Sequence, residues 1–281
     1  MNVSGWETKT IMAGGFNTRY IEAGRAGKPV LVLIHDGAFG TTAELCWSKV
    51  INELTGEFHI FAPEMLGWGG TDKAIFFDRS PYEGRIPHIA AFLKAVEAGS
   101  AYFAGCSFGG SMILRAAVSA KNPWNMKRVI SISGTGGPYR LPSGIQALAD
   151  YKANYEDAER LTKLIVGSVD GLQEHVKERL AGSLIPGHWE SLMAPRLKNP
   201  GIQPVQSTDK FLEQLATIKV PTLLVSGMRD PLLEPEWAQK MAALSKLIEV
   251  VSLDVGHAPN IDRPELVADL IHKFCFGDSA Q

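Results

Sequence analysis

Short, almost unbroken apolar runs alternate along the chain with longer segments in which apolar residues return every three or four positions. Residues 30–34, 58–62, 101–104, 129–133, 222–226 and 248–251 are rich in Val, Ile, Leu and Phe, with few polar interruptions. Runs of this length and continuity predict parallel strands covered on both faces. Residues 8–12 and 16–22, separated by Ala13-Gly14-Gly15, predict an opening antiparallel hairpin. Helical patterns fall at residues 111–120, 237–244 and 264–274, the last opening with a proline at its first helical position. Strands alternating with helices predict an α/β fold: a mostly parallel sheet with helices on both faces.

The alternation stops between Gly134 and about residue 207, where no strand-like run occurs and helical patterns cover residues 145–166, 172–180 and 186–197. The stretch is entered through Gly134-Thr135-Gly136-Gly137-Pro138 and left through Asn199-Pro200-Gly201. It reads as a helical lid, residues 134–207, inserted into one core made of residues 1–133 and 208–281. The 281 residues, enough for two average domains, are accounted for in this way by one domain and its insertion.

Composition narrows the function. With 45% hydrophobic and 21% charged residues the chain can bury a large core, which excludes intrinsic disorder. A net charge of −2, spread evenly, lacks the basic footprint of a nucleic-acid or anionic-membrane binder, and no apolar run is long enough to span a bilayer. The first residues carry neither a basic nor an apolar leader, and Cys46, Cys106 and Cys275 are scattered and odd in number; both point to a reducing cytoplasm. The expected partner is a small-molecule substrate, and a homodimer is compatible with this composition. No cofactor is expected: Gly134-Thr135-Gly136-Gly137 lacks the third glycine of a dinucleotide loop. No paired Cys-x-x-Cys or His-Glu-x-x-His predicts a metal.

The chemistry concentrates at Gly105-Cys106-Ser107-Phe108-Gly109, which follows one predicted strand and precedes a predicted helix. This is the context in which a G-x-S-x-G turn lifts a serine hydroxyl above a sheet. Such a hydroxyl becomes a nucleophile only when a base takes its proton and an acid holds the base in the right tautomer. Asp230 follows the strand at residues 222–226 and His257 follows that at 248–251, so both leave the carboxyl ends of parallel strands. Asp254 and Glu234 are alternative acids nearby. The loop His35-Asp36-Gly37-Ala38-Phe39-Gly40 after another strand offers a backbone N–H, Ala38 first and Phe39 next, to complete an oxyanion hole with that of Phe108. Arg179 lies seven residues after Leu172 and three after Val176, on their helical face. An inward arginine needs an anion, either a substrate carboxylate or a buried carboxylate of the core. Phe39, Phe108, Trp189 and Met193 are candidates to line an apolar pocket. Cys106, beside the serine, occupies a position that points into the scaffold and is not expected to act as a thiol.

These motifs resemble those of the α/β-hydrolase superfamily over nearly the whole chain, with Pro63-Glu64-Met65-Leu66-Gly67-Trp68-Gly69-Gly70-Thr71-Asp72 similar to its loop after the second parallel-sheet strand. Within it, residues 177–183 and 186–191 look similar to the lid of the meta-cleavage product hydrolases, which cut a carbon–carbon bond in ring-opened aromatic compounds. The resemblance implies that Arg179 holds a substrate carboxylate. Cys46 and Cys106 stand where that family has asparagines, Ala258 where it has a tryptophan, and Asp36 where the oxyanion loop usually has glycine, so Cys46, Cys106 and Ala258 mark the expected substrate end of the site. The expectation is a Ser107–His257–Asp230 hydrolase of a 2-hydroxy-6-oxo-dienoate or related diketone from aromatic degradation. The rival is a carboxylesterase or lactonase for small apolar esters; a small-molecule receptor and a cofactor-free oxygenase on the same fold are more distant alternatives.

Overall fold

A computed structural model describes residues 5–120, 122–194 and 209–277. Its strands are β1 (Trp6–Ala13), β2 (Phe16–Ala23), β3 (Val30–Ile34), β4 (His59–Pro63), β5 (Ala101–Cys106), β6 (Met126–Ile132), β7 (Thr222–Gly227) and β8 (Ile248–Leu253). They form one sheet in the order β1-β2-β4-β3-β5-β6-β7-β8. β1 and β2 are the antiparallel hairpin, β2 pairs antiparallel with β4, and β3 through β8 run parallel. β3, β5 and β7 are buried almost throughout, as their unbroken apolar runs require, whereas β8, at the edge of the sheet, is largely half-buried or exposed.

Helices α1 (Ala43–Leu54), α2 (Pro81–Ala95) and α3 (Phe108–Val118) connect the strands up to β6. α2 is started by its cap: Ser80 and Glu83 form a reciprocal capping box, with Pro81 opening the first turn. Between β6 and β7 lie α4 (Pro142–Ala149), α5 (Tyr155–Val166), α6 (Gln173–Ser183), α7 (His188–Met193) and α8 (Phe211–Leu215). α9 (Trp237–Ala242), α10 (Pro259–Asp262) and α11 (Pro264–Phe276) complete the chain. α1 packs against α11, and α3 against α2 and α8, giving a helical layer on each side of the sheet. No described helix is long and apolar enough to cross a membrane.

The insertion departs from the sequence expectation in one place. The pattern over residues 145–166 predicts one helix, whereas the structure has two, because α4 stops at Asp150 and Asn154 caps α5 by accepting from the Asp157 N–H. Ala153, at φ 53°, turns the chain between them. The pattern at 186–197 corresponds to α7 in its first part, and its end lies outside the described residues.

β3 has β4 on one side and β5 on the other, so growth of the sheet reverses at that strand. Loops leaving β3 and β5 therefore diverge and open a crevice at the carboxyl edge of the sheet, where open α/β sheets hold their ligands.

Candidate active site

The β5–α3 turn is tight enough to dictate its glycines. A Cβ on Gly105 would come within 2.6 Å of the Gly109 carbonyl carbon, and one on Gly109 would run into the Ile34 and His35 carbonyl oxygens. Between them Ser107 takes φ 54°, ψ −113°, a strained conformation for a residue with a side chain. The hydroxyl is thereby raised over the sheet edge at the N-terminus of α3, whose first N–H groups have no helical partner.

His257 and Asp230 reach the same point from the far side. His257 Nε2 lies 2.8 Å from Ser107 Oγ, and its Nδ1 lies 2.6 Å from Asp230 Oδ2. Asp230 Oδ1 accepts the Leu232 N–H at 2.8 Å, which fixes the carboxylate plane. Both side chains of this pair are buried. The alternative acids are engaged elsewhere: Asp254 pairs with Arg229 and Glu234 with Lys240, all at the surface.

The β3–α1 loop forms the opposite wall and corrects one expectation. The N–H of Ala38 donates to Asp36 Oδ1 at 2.8 Å, so a carboxylate already holds the donor that sequence favoured. Gly37, one residue earlier, presses directly on the elbow, since a Cβ there would lie 2.8 Å from Phe108 Cβ. The loop is braced by two buried histidines. His35 Nδ1 donates to the Asp36 carbonyl while Nε2 accepts the Met65 N–H, and His188 Nε2 accepts the Gly40 N–H while Nδ1 donates to the Gly67 carbonyl. Burial pushes each of these imidazoles down to about 4, and the neutral form suits their one-donor, one-acceptor roles.

A cavity of about 580 Å³ opens over Ser107 and His257. Gly37, Ala38, Phe39, Phe108 and Ala258 line it, as do Trp68, Tyr82 and Arg85 from the loop after β4 and from α2. The inserted helices add Ile145, Leu148 and Ala149 from α4, Ile165 from α5, and Ser191 and Leu192 from α7. Five residues expected in the site lie elsewhere, Arg179 among them. Trp189 is 44% exposed, because the turn of α7 buries His188 and Ser191 and leaves it outside. Met193 packs on the small apolar cluster of Phe39, Tyr151, Ala158, Leu161 and Val176. Cys46 faces the polypeptide, its carbonyl and Sγ accepting from Asn260 Nδ2, and it lines a separate smaller cavity. Cys106 is fully buried beneath the elbow, and burial drives its thiol pKa and that of Cys46 well above the ordinary value.

Arg179 is the largest departure from the resemblance. It is fully buried but does not line the cavity. Its Nη1 donates to the Phe39 carbonyl at 3.0 Å and to Thr41 Oγ1 at 3.1 Å, and the Thr41 hydroxyl donates to Asp36 Oδ1 at 2.7 Å. Burial opposes ionisation of Asp36, yet the Arg179 charge and the bonds from Thr41 and Ala38 outweigh it and hold the carboxyl below its usual range. Thus the anion that balances Arg179 comes from the chain itself, and these surroundings are those of a buried structural pair.

Sequence reading passed over Gly37 and Arg85. Gly37 lies in the same loop as Ala38, and only packing against Phe108 distinguishes it from its neighbour. Arg85 has no local signal, because an arginine in a helix reads as solvated until the tertiary contacts of α2 are known. Among the described residues, no group of three or more His, Cys, Asp or Glu side chains is arranged to hold a metal ion.

Comparison with known proteins gives a match to the Alpha/beta hydrolase family over residues 31–270. The chain is 26% identical to the 2-hydroxy-6-oxo-2,4-heptadienoate hydrolase of Pseudomonas putida, covering 97% of this chain and 98% of that protein. It is also 26% identical to Lipase 1 of Psychrobacter immobilis, over 95% of this chain and 84% of the lipase. Among solved structures, a meta-cleavage product hydrolase from Pseudomonas fluorescens superposes with TM-score 0.82 at 22% identity, covering 96% of this chain and 98% of that one.

Proposed function

The chain belongs to the alpha/beta hydrolase family, and from that premise we propose that it is a serine hydrolase working through a covalent acyl-enzyme on Ser107. One observation carries this reading: the unbroken relay from Ser107 Oγ to His257 Nε2 at 2.8 Å and from His257 Nδ1 to Asp230 at 2.6 Å. In this mechanism Ser107 Oγ attacks a substrate carbonyl while His257 takes its proton, and Asp230 orients and stabilises the resulting imidazolium. The N–H groups of Gly37 and Phe108 face the developing oxyanion, each worth about 3 kcal/mol in the transition state. Collapse expels the leaving group, protonated by His257, and water activated by the same imidazole then releases the acid and restores Ser107. The helices between β6 and β7, within residues 134–207, serve as the lid, a role supported by the walls that α4, α5 and α7 give the cavity.

The substrate read first is a carboxylic ester. It is favoured by Asp36, whose carboxylate satisfies Arg179 from within the fold and removes it as a cation for a ring-opened dienoate. The second reading, carbon–carbon hydrolysis of such a dienoate, is favoured by the full-length similarity to the heptadienoate hydrolase. Both use the same acyl-enzyme, so the test has two parts. Mass spectrometry after p-nitrophenyl butyrate should find an acyl adduct on the Ser107 peptide that is lost in Ser107→Ala; turnover surviving in that variant refutes the mechanism. Rapid bleaching of a yellow ring-fission dienoate, with p-nitrophenyl esters turned over slowly, would reverse the order of the two substrates.

A further inference from the structure

Arg85 is 3% exposed and lines the cavity that holds Ser107 and His257. Its guanidinium lies over the Trp68 ring, 4.8 Å from the centroid, and 5.9 Å from that of Phe108, the residue after the serine. Nε donates to the Leu66 carbonyl at 2.9 Å and Nη1 to the Pro81 carbonyl at 3.2 Å, both neutral acceptors. Among the described residues no carboxylate forms an ion pair with it, and its hydrogen bonds are those of Nε and Nη1, leaving Nη2 without one. Burial is the one influence that moves its pKa, down to about 10, so at neutral pH it is a buried cation without a balancing charge. Such a charge is costly unless an anion joins it.

The cavity's other charges leave the vacancy to a ligand. Among the described residues that line it, Asp36 is the one carboxylate, and its charge is offset by Arg179 through Thr41. Arg140, also in the lining, is exposed and adds positive potential at the mouth, whereas Arg79 is offset there by its ion pair with Asp78. A guanidinium held by two backbone carbonyls over an aromatic ring keeps its remaining N–H groups in fixed orientation, an arrangement that suits a carboxylate.

We infer that Arg85 is the specificity-determining anchor of the substrate, which carries a carboxylate on the arm that reaches toward α2 and Trp68. The substrate is then an acidic ester or ketone, such as the monoester of a dicarboxylic acid, with its reacting carbonyl at Ser107. That the bound acid is turned over rests on Ser107 being the nucleophile; the anion site itself rests on the cavity. The acid-binding function then belongs to Arg85 on α2 rather than to Arg179, where the family resemblance put it.

Two measurements test it. With mono-p-nitrophenyl glutarate and p-nitrophenyl butyrate, the native enzyme should prefer the charged ester by about tenfold or more in kcat/KM, chiefly through KM. Arg85→Gln should bring that ratio to about one, and Arg85→Lys should restore part of it. A purely structural Arg85 would lower both substrates together and leave the ratio unchanged, which overturns the proposal. The second measurement needs no turnover, and so separates failure of the anchor from failure of the hydrolase reading. In the Ser107→Ala protein, calorimetry should show 4-phenylbutyrate binding about tenfold or more tighter than 4-phenylbutanamide, a difference erased by adding Arg85→Gln. Equal binding of acid and amide, or a preference that survives Arg85→Gln, rejects the anchor whatever the chemistry at Ser107.

Discussion

At the scale of single residues, the site depends on backbone positions that tolerate no substitution as much as on the reacting side chains. Ser107 holds its strained φ because Gly105 and Gly109 let the strand, the turn and the loop after β3 come into contact. Asp230→Asn should keep the fold but strand His257 in the wrong tautomer, lowering kcat by about three to four orders of magnitude against p-nitrophenyl esters, with the urea midpoint nearly unchanged. Gly37→Val tests the oxyanion wall. Its Cβ would meet Phe108 Cβ at 2.8 Å and push apart the two N–H groups assigned to the oxyanion, so kcat should fall by about 10²-fold with KM little altered. Unchanged kcat in that variant would return the role to another donor of the loop. The three residues of the hydrogen-bonded relay were legible in the sequence because each follows a strand that hydrophobicity alone marks. The donor was not, because two adjacent N–H groups differ only in which one a folded carboxylate captures.

At the scale of elements, α6 and α7 are fastened to the β3–α1 loop, and that attachment makes the insertion part of the site. Gly40 and Gly182 meet backbone to backbone, with Arg179 from α6 and His188 from α7 bonding to the same loop. The Asp36–Thr41–Arg179 chain is the charged component of this joint. Removing either charge leaves the other buried without balance, so Asp36→Asn and Arg179→Met should each destabilise by about 3 kcal/mol in urea unfolding. The double variant should cost clearly less than their sum, and additivity would show that the two charges do not act as a pair. The same series checks substrate selectivity, because Arg179→Met should change the charged-to-neutral ester ratio far less than Arg85→Gln. Periodicity made the inward face of α6 readable and so found Arg179. It could not say whether the waiting anion was a substrate or Asp36, since that depends on where a loop 143 residues away comes to rest.

At the scale of the whole molecule, the order of the strands decides the location of the crevice, and the buried histidines decide how the fold responds to acid. His35, His88 and His188 are buried, and their burial pushes each down to about 4. An unfolded chain takes up these protons near pH 6.5, while the folded chain refuses them until about pH 4. Stability from this source is therefore complete above pH 6.5 and is lost as the pH falls through the window toward 4, by about 3 kcal/mol for each fully buried ring. Urea midpoints should rise steeply from pH 4.5 to 6.5 and flatten above it. His188→Gln should show a shallower rise, and a midpoint independent of pH across that window would contradict the burial of neutral imidazoles.

By itself the sequence determined the strands, the alternating architecture, the place of the insertion and the three residues of the relay, because those follow from local periodicity and from the loops that end each strand. It overran α4 and α5 into one helix, since a turn at Ala153 with no proline or glycine leaves the apolar pattern intact. What only the tertiary structure decided is the charge pattern of the cavity. Arg179 and Arg85 are both buried cations, and the difference between a structural pair and a candidate anchor lies in which one a carboxylate of the chain can reach. Coulomb attraction acts through space rather than along the chain, so no spacing in the sequence encodes it.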